Sequence, residues 1–126
     1  MTTAEPVRPG VQVFGRRDSR ETQRALRFFK ERRVPIHLVD VAEKPPSAGE
    51  LRRFSQHLGT AALVDRDGRR FRDLGLAHYR LDERELFERI LEDPALLKLP
   101  LVRYGDLVSV GAEETTWRAW LQPPRP

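Results

Sequence analysis

The fold turns on residues 11–41, VQVFGRRDSRETQRALRFFKERRVPIHLVDV. Val11-Gln12-Val13-Phe14 is a short β-prone run stopped by Gly15, and Ser19 then offers an N-cap oxygen to a helix predicted from Arg20 to about Arg33. Ala25, Leu26, Phe28 and Phe29 supply the buried face of that helix, with Arg24, Arg27, Lys30 and Arg32 outside. Pro35 is expected to end it. Pro35-Ile36-His37-Leu38-Val39-Asp40-Val41 reads as the next strand, apolar enough for a buried parallel position because the intervening helix makes a crossover. Together these pieces form a βαβ unit.

Working outward, Pro45-Pro46-Ser47 breaks the chain. Ser47 and Glu50 have capping-box spacing for a helix that carries Leu51, Phe54 and Leu58 inward and stops at Gly59. Residues 60–98 are predicted to be mostly helical, in short pieces. Leu86, Phe87, Ile90 and Leu91 have helical spacing there, with Leu81-Asp82 leading in and Asp93-Pro94 leading out. Pro100-Leu101-Val102-Arg103-Tyr104 and Leu107-Val108-Ser109-Val110 form a hairpin around Gly105-Asp106, where glycine first suits a type II′ turn. A final helix is expected from Ala112 to Leu121, whose Trp117, Trp120 and Leu121 read as core contacts rather than an aromatic binding platform. Residues 1–10 and 122–126 read as tails, so the expected organisation is one domain over 11–121 with a helical insertion at about 60–98.

Composition excludes several functions. The 126 residues contain no cysteine, so neither disulfide nor thiol chemistry is open to these side chains. The longest apolar runs, such as Ala61-Ala62-Leu63-Val64, fall far short of the roughly 20 residues of a membrane span. Met1 to Gly10 holds Glu5 and Arg8 in place of an apolar signal core, and a cytoplasmic location is expected. There are 23 basic and 19 acidic residues with a sequence pI near 10.1. All the basic residues but Lys30, Lys44 and Lys98 are arginine, and they are interspersed with acids, so a net charge of +4 points to no specific nucleic acid. His37, His57 and His78 form no local pair with metal-site spacing, and no metal or cofactor is implied. Gly68 and Gly75 lie in no phosphate loop. Asp82, Glu83, Glu85 and Glu88 read as the solvated face of a helix.

The order βαβα, a helical insertion, a β hairpin and a helix is a thioredoxin-like α/β topology with a mixed sheet. Four stretches make the resemblance specific: Val11-Gln12-Val13-Phe14-Gly15; Pro45-Pro46-Ser47 with Glu50-Leu51; Phe71-Arg72-Asp73-Leu74-Gly75-Leu76; and Asp93-Pro94-Ala95-Leu96-Leu97-Lys98-Leu99-Pro100-Leu101-Val102. In this order and spacing the chain resembles the arsenate reductase (ArsC) and Spx-like family from Val11 to Leu121.

That resemblance implies a cysteine at the turn from the first strand into the first helix, where helix amides lower its pKa and cradle an oxyanion. Aligning Phe14-Gly15 with the family's aromatic-glycine pair puts Ser19 at the cysteine position, to within one residue. A serine hydroxyl needs an adjacent base, no histidine lies nearby in sequence, and Asp18 is the only local acceptor. Ser19 therefore reads first as an N-cap. A serine that hydrogen-bonds a bound thiol, as in some glutathione transferases, is the other reading. Arg16, Arg17 and Arg20 surround the same turn, as a solvated loop or as a site for a small oxyanion or an acidic side chain. The family's arginine before the third-strand proline is replaced by Leu99. Arg66 is the closest candidate for its second arginine, although spacing also permits Asp65. Pro100 fits the cis-proline that faces the active-site turn.

By resemblance the chain is expected to be a non-catalytic binding or regulatory protein without redox-active cysteine, and not a cysteine-dependent arsenate reductase. Spx-like relatives act by binding RNA polymerase, which implies a protein partner near the first-helix turn. The alternative is an enzyme of glutaredoxin or transferase type acting on a bound low-molecular-weight thiol or oxyanion through Ser19.

Overall fold

The computed structural model describes residues 9–122. The expected tails lie mostly outside these described residues. Strands β1 (Val11–Gly15) and β2 (Ile36–Asp40) pair in parallel around helix α1 (Arg20–Glu31), so the βαβ unit is present. Helix α2 (Ala48–Leu58) follows, then α3 (Arg69–Asp73) and α4 (Glu83–Glu92) with 3-10 turns at Thr60–Leu63, Leu76–His78 and Pro94–Leu96. Strands β3 (Leu101–Tyr104) and β4 (Leu107–Val110) and helix α5 (Glu114–Trp120) complete the order. The sheet runs β2-β1-β3-β4, with β3 antiparallel to both neighbours.

Strand alternation divides the core in two. Val11, Val13 and Val102 face α1 and α5, where Ala25, Phe28, Phe29 and Trp117 are buried. Phe14, Val39 and Leu101 face the other way, against Leu51 and Phe54 of α2 and against Phe71, Leu86 and Ile90 of the helical segment. On α1 the apolar stripe is shifted from the expected one: Thr22 is buried and Leu26 is only half-buried. Arg32 is not simply outside, since its guanidinium carbon lies 3.7 Å from the centre of the Phe28 ring.

Local signals explain most boundaries. The Ser47 hydroxyl accepts from the Glu50 amide at 3.1 Å while the Ser47 amide donates to Glu50 Oε1 at 2.9 Å, which is the expected capping box. Of the two hairpin residues only Gly105 has positive φ, at 62°, as a type II′ turn requires.

Three expectations need correction. Helix α1 ends at Glu31, before Pro35 is reached, because Arg33 takes a left-handed φ of 58°. The Val34 amide then bonds the Phe29 carbonyl and the Arg33 amide bonds the Lys30 carbonyl, a Schellman turn closed by the buried Phe29 and Val34. Helix α5 begins at Glu114 instead of Ala112, while Trp120 packs on the core as expected, half-buried and stacked on Tyr104 with ring centroids 6.3 Å apart. Glu83 does more than face solvent: its Oε1 accepts from the Thr60 amide at 3.3 Å and the Thr60 hydroxyl at 3.1 Å, tying α4 to the turn after α2. Its neighbour Asp82 caps α4, and accepting the Glu85 amide holds the Asp82 carboxyl below its ordinary pKa.

Candidate functional site

Gly15 ends β1 against a buried Thr22, leaving no room for a side chain. The chain turns over residues 16–19 and enters α1, and the turn is tied from within. The Arg16 amide donates to Thr22 Oγ1 at 3.3 Å, and the Ser19 amide donates to the Arg16 carbonyl at 3.0 Å. Gln23 Nε2 donates to the Arg17 carbonyl at 2.7 Å. Ser19, with extended backbone at φ −85° and ψ 125°, accepts the Thr22 amide on Oγ at 3.2 Å and directs its hydroxyl toward Glu21 Oε2 at 3.4 Å. The N-cap reading of Ser19 therefore describes its geometry.

Across from this turn lies the segment 94–99. An antiparallel bridge joins Val64 to Leu97, with the Asp65 amide bonded to the Leu96 carbonyl at 2.9 Å and the Lys98 amide to the Leu63 carbonyl at 2.7 Å. This small ladder fixes Asp65 and Lys98. The Lys98 stem runs over Gly111, where an added Cβ would come within 3.1 Å of Cε. Between turn and segment is an open cleft of about 440 Å³. Arg16, Asp18, Ser19, Arg20 and Glu21 line one wall, and Asp65, Pro94, Ala95, Leu97, Lys98 and Leu99 the other.

Its charge is balanced. Arg16, Arg20 and Lys98 stand against Asp18, Glu21 and Asp65, and Arg16 is already engaged with Asp18 at 3.0 Å. A cleft of this kind has less attraction for a free oxyanion than the arginine count suggests. No histidine lines it. Among the described residues no group of His, Asp and Glu could hold a metal, and no helix is long and apolar enough to cross a membrane.

The structure brings together Arg16, Ser19 and Arg20 and separates the other candidates. Arg17 turns toward Asp40, with its Nε 3.9 Å from the carboxylate, and does not line the cleft. Arg66 lines a neighbouring hollow beside the Phe71 ring, and Asp65, the alternative that spacing left open, takes the cleft position. The Leu99–Pro100 peptide is cis, as expected, but Pro100 is buried and the wall facing the turn is made by Lys98 and Leu99. Lys98 is the residue that sequence reasoning missed. Its signal was its place two residues before Pro100.

A parallel β1-α1-β2 unit joined to an antiparallel β3-β4 hairpin, with a cis-proline entering β3 and a helix-capping residue at the β1-α1 turn, defines a thioredoxin-like protein. Within that class the chain belongs to the ArsC family, whose sequence model matches residues 15–120. It is 30% identical over 96 residues to the uncharacterized protein YusI of Bacillus subtilis, covering 73% of this chain and 81% of that one. It is 27% identical over 106 residues to an arsenate reductase of Neisseria meningitidis, covering 82% of this chain and 91% of the reductase. Among solved structures, the YffB protein superposes with a TM-score of 0.82 at 25% identity, over 89% of this chain and 99% of its own. An arsenate reductase from Vibrio cholerae gives 0.79 at 20% identity, over 90% and 99%. This member of the family has no cysteine.

Proposed function

We propose that the chain is a non-catalytic binding protein that presents the β1-α1 turn and its cleft to a protein partner. One observation carries this reading: the Ser19 hydroxyl, within one residue of the family's cysteine position, is engaged as a helix cap and has no histidine beside it. The hydroxyl donates at 3.4 Å to Glu21, an exposed carboxylate on the same helix turn, and among the described residues no buried acid or imidazole is bonded to it. The partner to try first is RNA polymerase, on the Spx-like resemblance. Pull-down from a native lysate with wild type and with Arg16→Glu/Arg17→Glu is expected to lose that partner in the variant. Identical partners from both proteins would show that the surface is misplaced.

The open cleft favours a second reading, an enzyme acting on a bound low-molecular-weight thiol that Ser19 polarises. Ser19→Ala separates the two. On the first reading the variant loses only the cap, about 1 kcal/mol by urea denaturation, and calorimetry with millimolar glutathione registers no binding by either protein. Saturable thiol binding by wild type that disappears in Ser19→Ala would replace the first reading with the second.

A further inference from the structure

Arg20, Arg24 and Arg27 stand at i, i+4 and i+7 on α1, all exposed, and line a shallow groove together with Glu21. They are separated by about 6 and 4.5 Å along the helix axis, at ~1.5 Å per residue. Two other helical arginines pair with an acid four residues on, Arg69 with Asp73 and Arg84 with Glu88, and Arg27 has Glu31 at that spacing without pairing with it. On α1 the residue four places after Arg20 is another arginine. Like charges at this spacing oppose each other, and a cation in the first turn opposes the helix dipole. The stripe therefore weakens the helix that carries it, and among the described residues its one ion pair is that of Arg24 with α5. Only its middle position is filled. Arg24 Nε donates to Glu114 Oε1 at 3.3 Å, whereas Arg20 and Arg27, among the described residues, have no hydrogen bond or ion pair.

We propose that this stripe docks an acidic helical segment of a partner protein, with carboxylates two turns apart, at i and i+7, meeting Arg20 and Arg27 on either side of the Arg24–Glu114 pair. The proposal rests on the binding-protein reading and gives the partner a chemistry. A helical occupant is favoured because a second helix repeats the same axial rise, so its carboxylates stay in register with the arginines. Glu114 is the first residue of α5, so a carboxylate borne on a helix already occupies the middle position. Arg20 also lines the cleft, so stripe and cleft form one continuous surface.

A second copy of the chain is the rival occupant. Glu85, Glu88 and Glu92 of α4 have the complementary spacing. However, α4 packs on the opposite side of the sheet from α1, so such pairing runs head to tail and forms no two-fold dimer through this contact alone.

The test titrates the full chain into a labelled helical peptide carrying Glu at i and i+7. A peptide of equal composition with its Glu residues scattered around the helix, and a duplex DNA oligonucleotide, are run beside it. The aligned peptide is expected to bind at least tenfold more tightly than the scattered one. It should also lose at least tenfold in affinity for Arg20→Gln/Arg27→Gln, a variant whose melting temperature should be unchanged or raised. Equal binding of both peptides, tighter binding of DNA, or self-association in sedimentation that the same variant abolishes would each overturn the proposal. If the lysate partner survives Arg20→Gln/Arg27→Gln, the stripe is wrong and the binding-protein reading stands. If no partner is captured but the aligned peptide binds and the variant weakens it, RNA polymerase and the cleft fail as partner and docking face, and the stripe's chemistry stands.

Discussion

Trp117→Ala should lower stability by about 3–5 kcal/mol, the largest effect expected of any single truncation in the chain. Trp117 is fully buried, with ring centroids 5.4 Å from Phe28 and 5.3 Å from Phe29, so it joins α5 to α1 across Val13 and Val102. Its indole Nε1 donates to Ser109 Oγ at 2.8 Å, and Ser109 is itself 5% exposed. Truncation therefore opens a cavity and leaves a buried hydroxyl without its donor, two penalties that act together. Trp117→Phe helps to separate them, because it keeps much of the packing, leaves a smaller cavity and removes the hydrogen bond. Urea denaturation should place the phenylalanine variant between wild type and the alanine variant. A loss below about 1 kcal/mol in Trp117→Ala would mean that α5 is not anchored through this side chain.

How much of this was legible in the sequence depended on the range of the interactions. The capping box at Ser47 and Glu50 and the turn at Gly105-Asp106 are set by residues within four positions of one another, and both formed as read. The end of α1 was misread because proline is a visible stop signal, whereas the actual stop is an arginine in the left-handed region. What holds it there is the contact between Phe29 and Val34, which looks like ordinary core in the sequence.

The candidate site shows the same division. Ser19 and its cap were legible because the bond spans three residues. The far wall was not, because Lys98 reaches the cleft through pairing of residues 63–65 with residues 96–98. The choice between Asp65 and Arg66 was a choice of face. Val64 is paired as in a strand, and a shift of one residue in such a segment moves a side chain from one side to the other. Spacing along the chain could not decide it; the Val64–Leu97 register did. The result is a cleft lined by Asp65 and Lys98, with Arg66 in the neighbouring hollow.

Gly15→Ala should cost about 1–3 kcal/mol and disorganise the turn that carries Ser19. A Cβ at Gly15 would lie 2.5 Å from both Cγ2 and Oγ1 of Thr22 and 3.0 Å from its Cβ, so even one methyl group forces a shift. Neither partner can yield easily. Gly15 is held by strand pairing with Asp40 and by accepting the Val41 amide at 2.9 Å, and Thr22 is fully buried in the first turn of α1. Thr22 also accepts the Arg16 amide, so its displacement moves the turn away from the Lys98 wall. If steric conflict is the cause, Thr22→Ala must relieve it. Thr22→Ala alone should destabilise by losing the acceptor for the Arg16 amide, yet Gly15→Ala/Thr22→Ala should be more stable than the sum of the single changes predicts. The expected coupling is at least about 0.5 kcal/mol in the favourable direction. Strict additivity in a urea double-mutant cycle would show that Gly15 is required for something other than the close approach of Thr22.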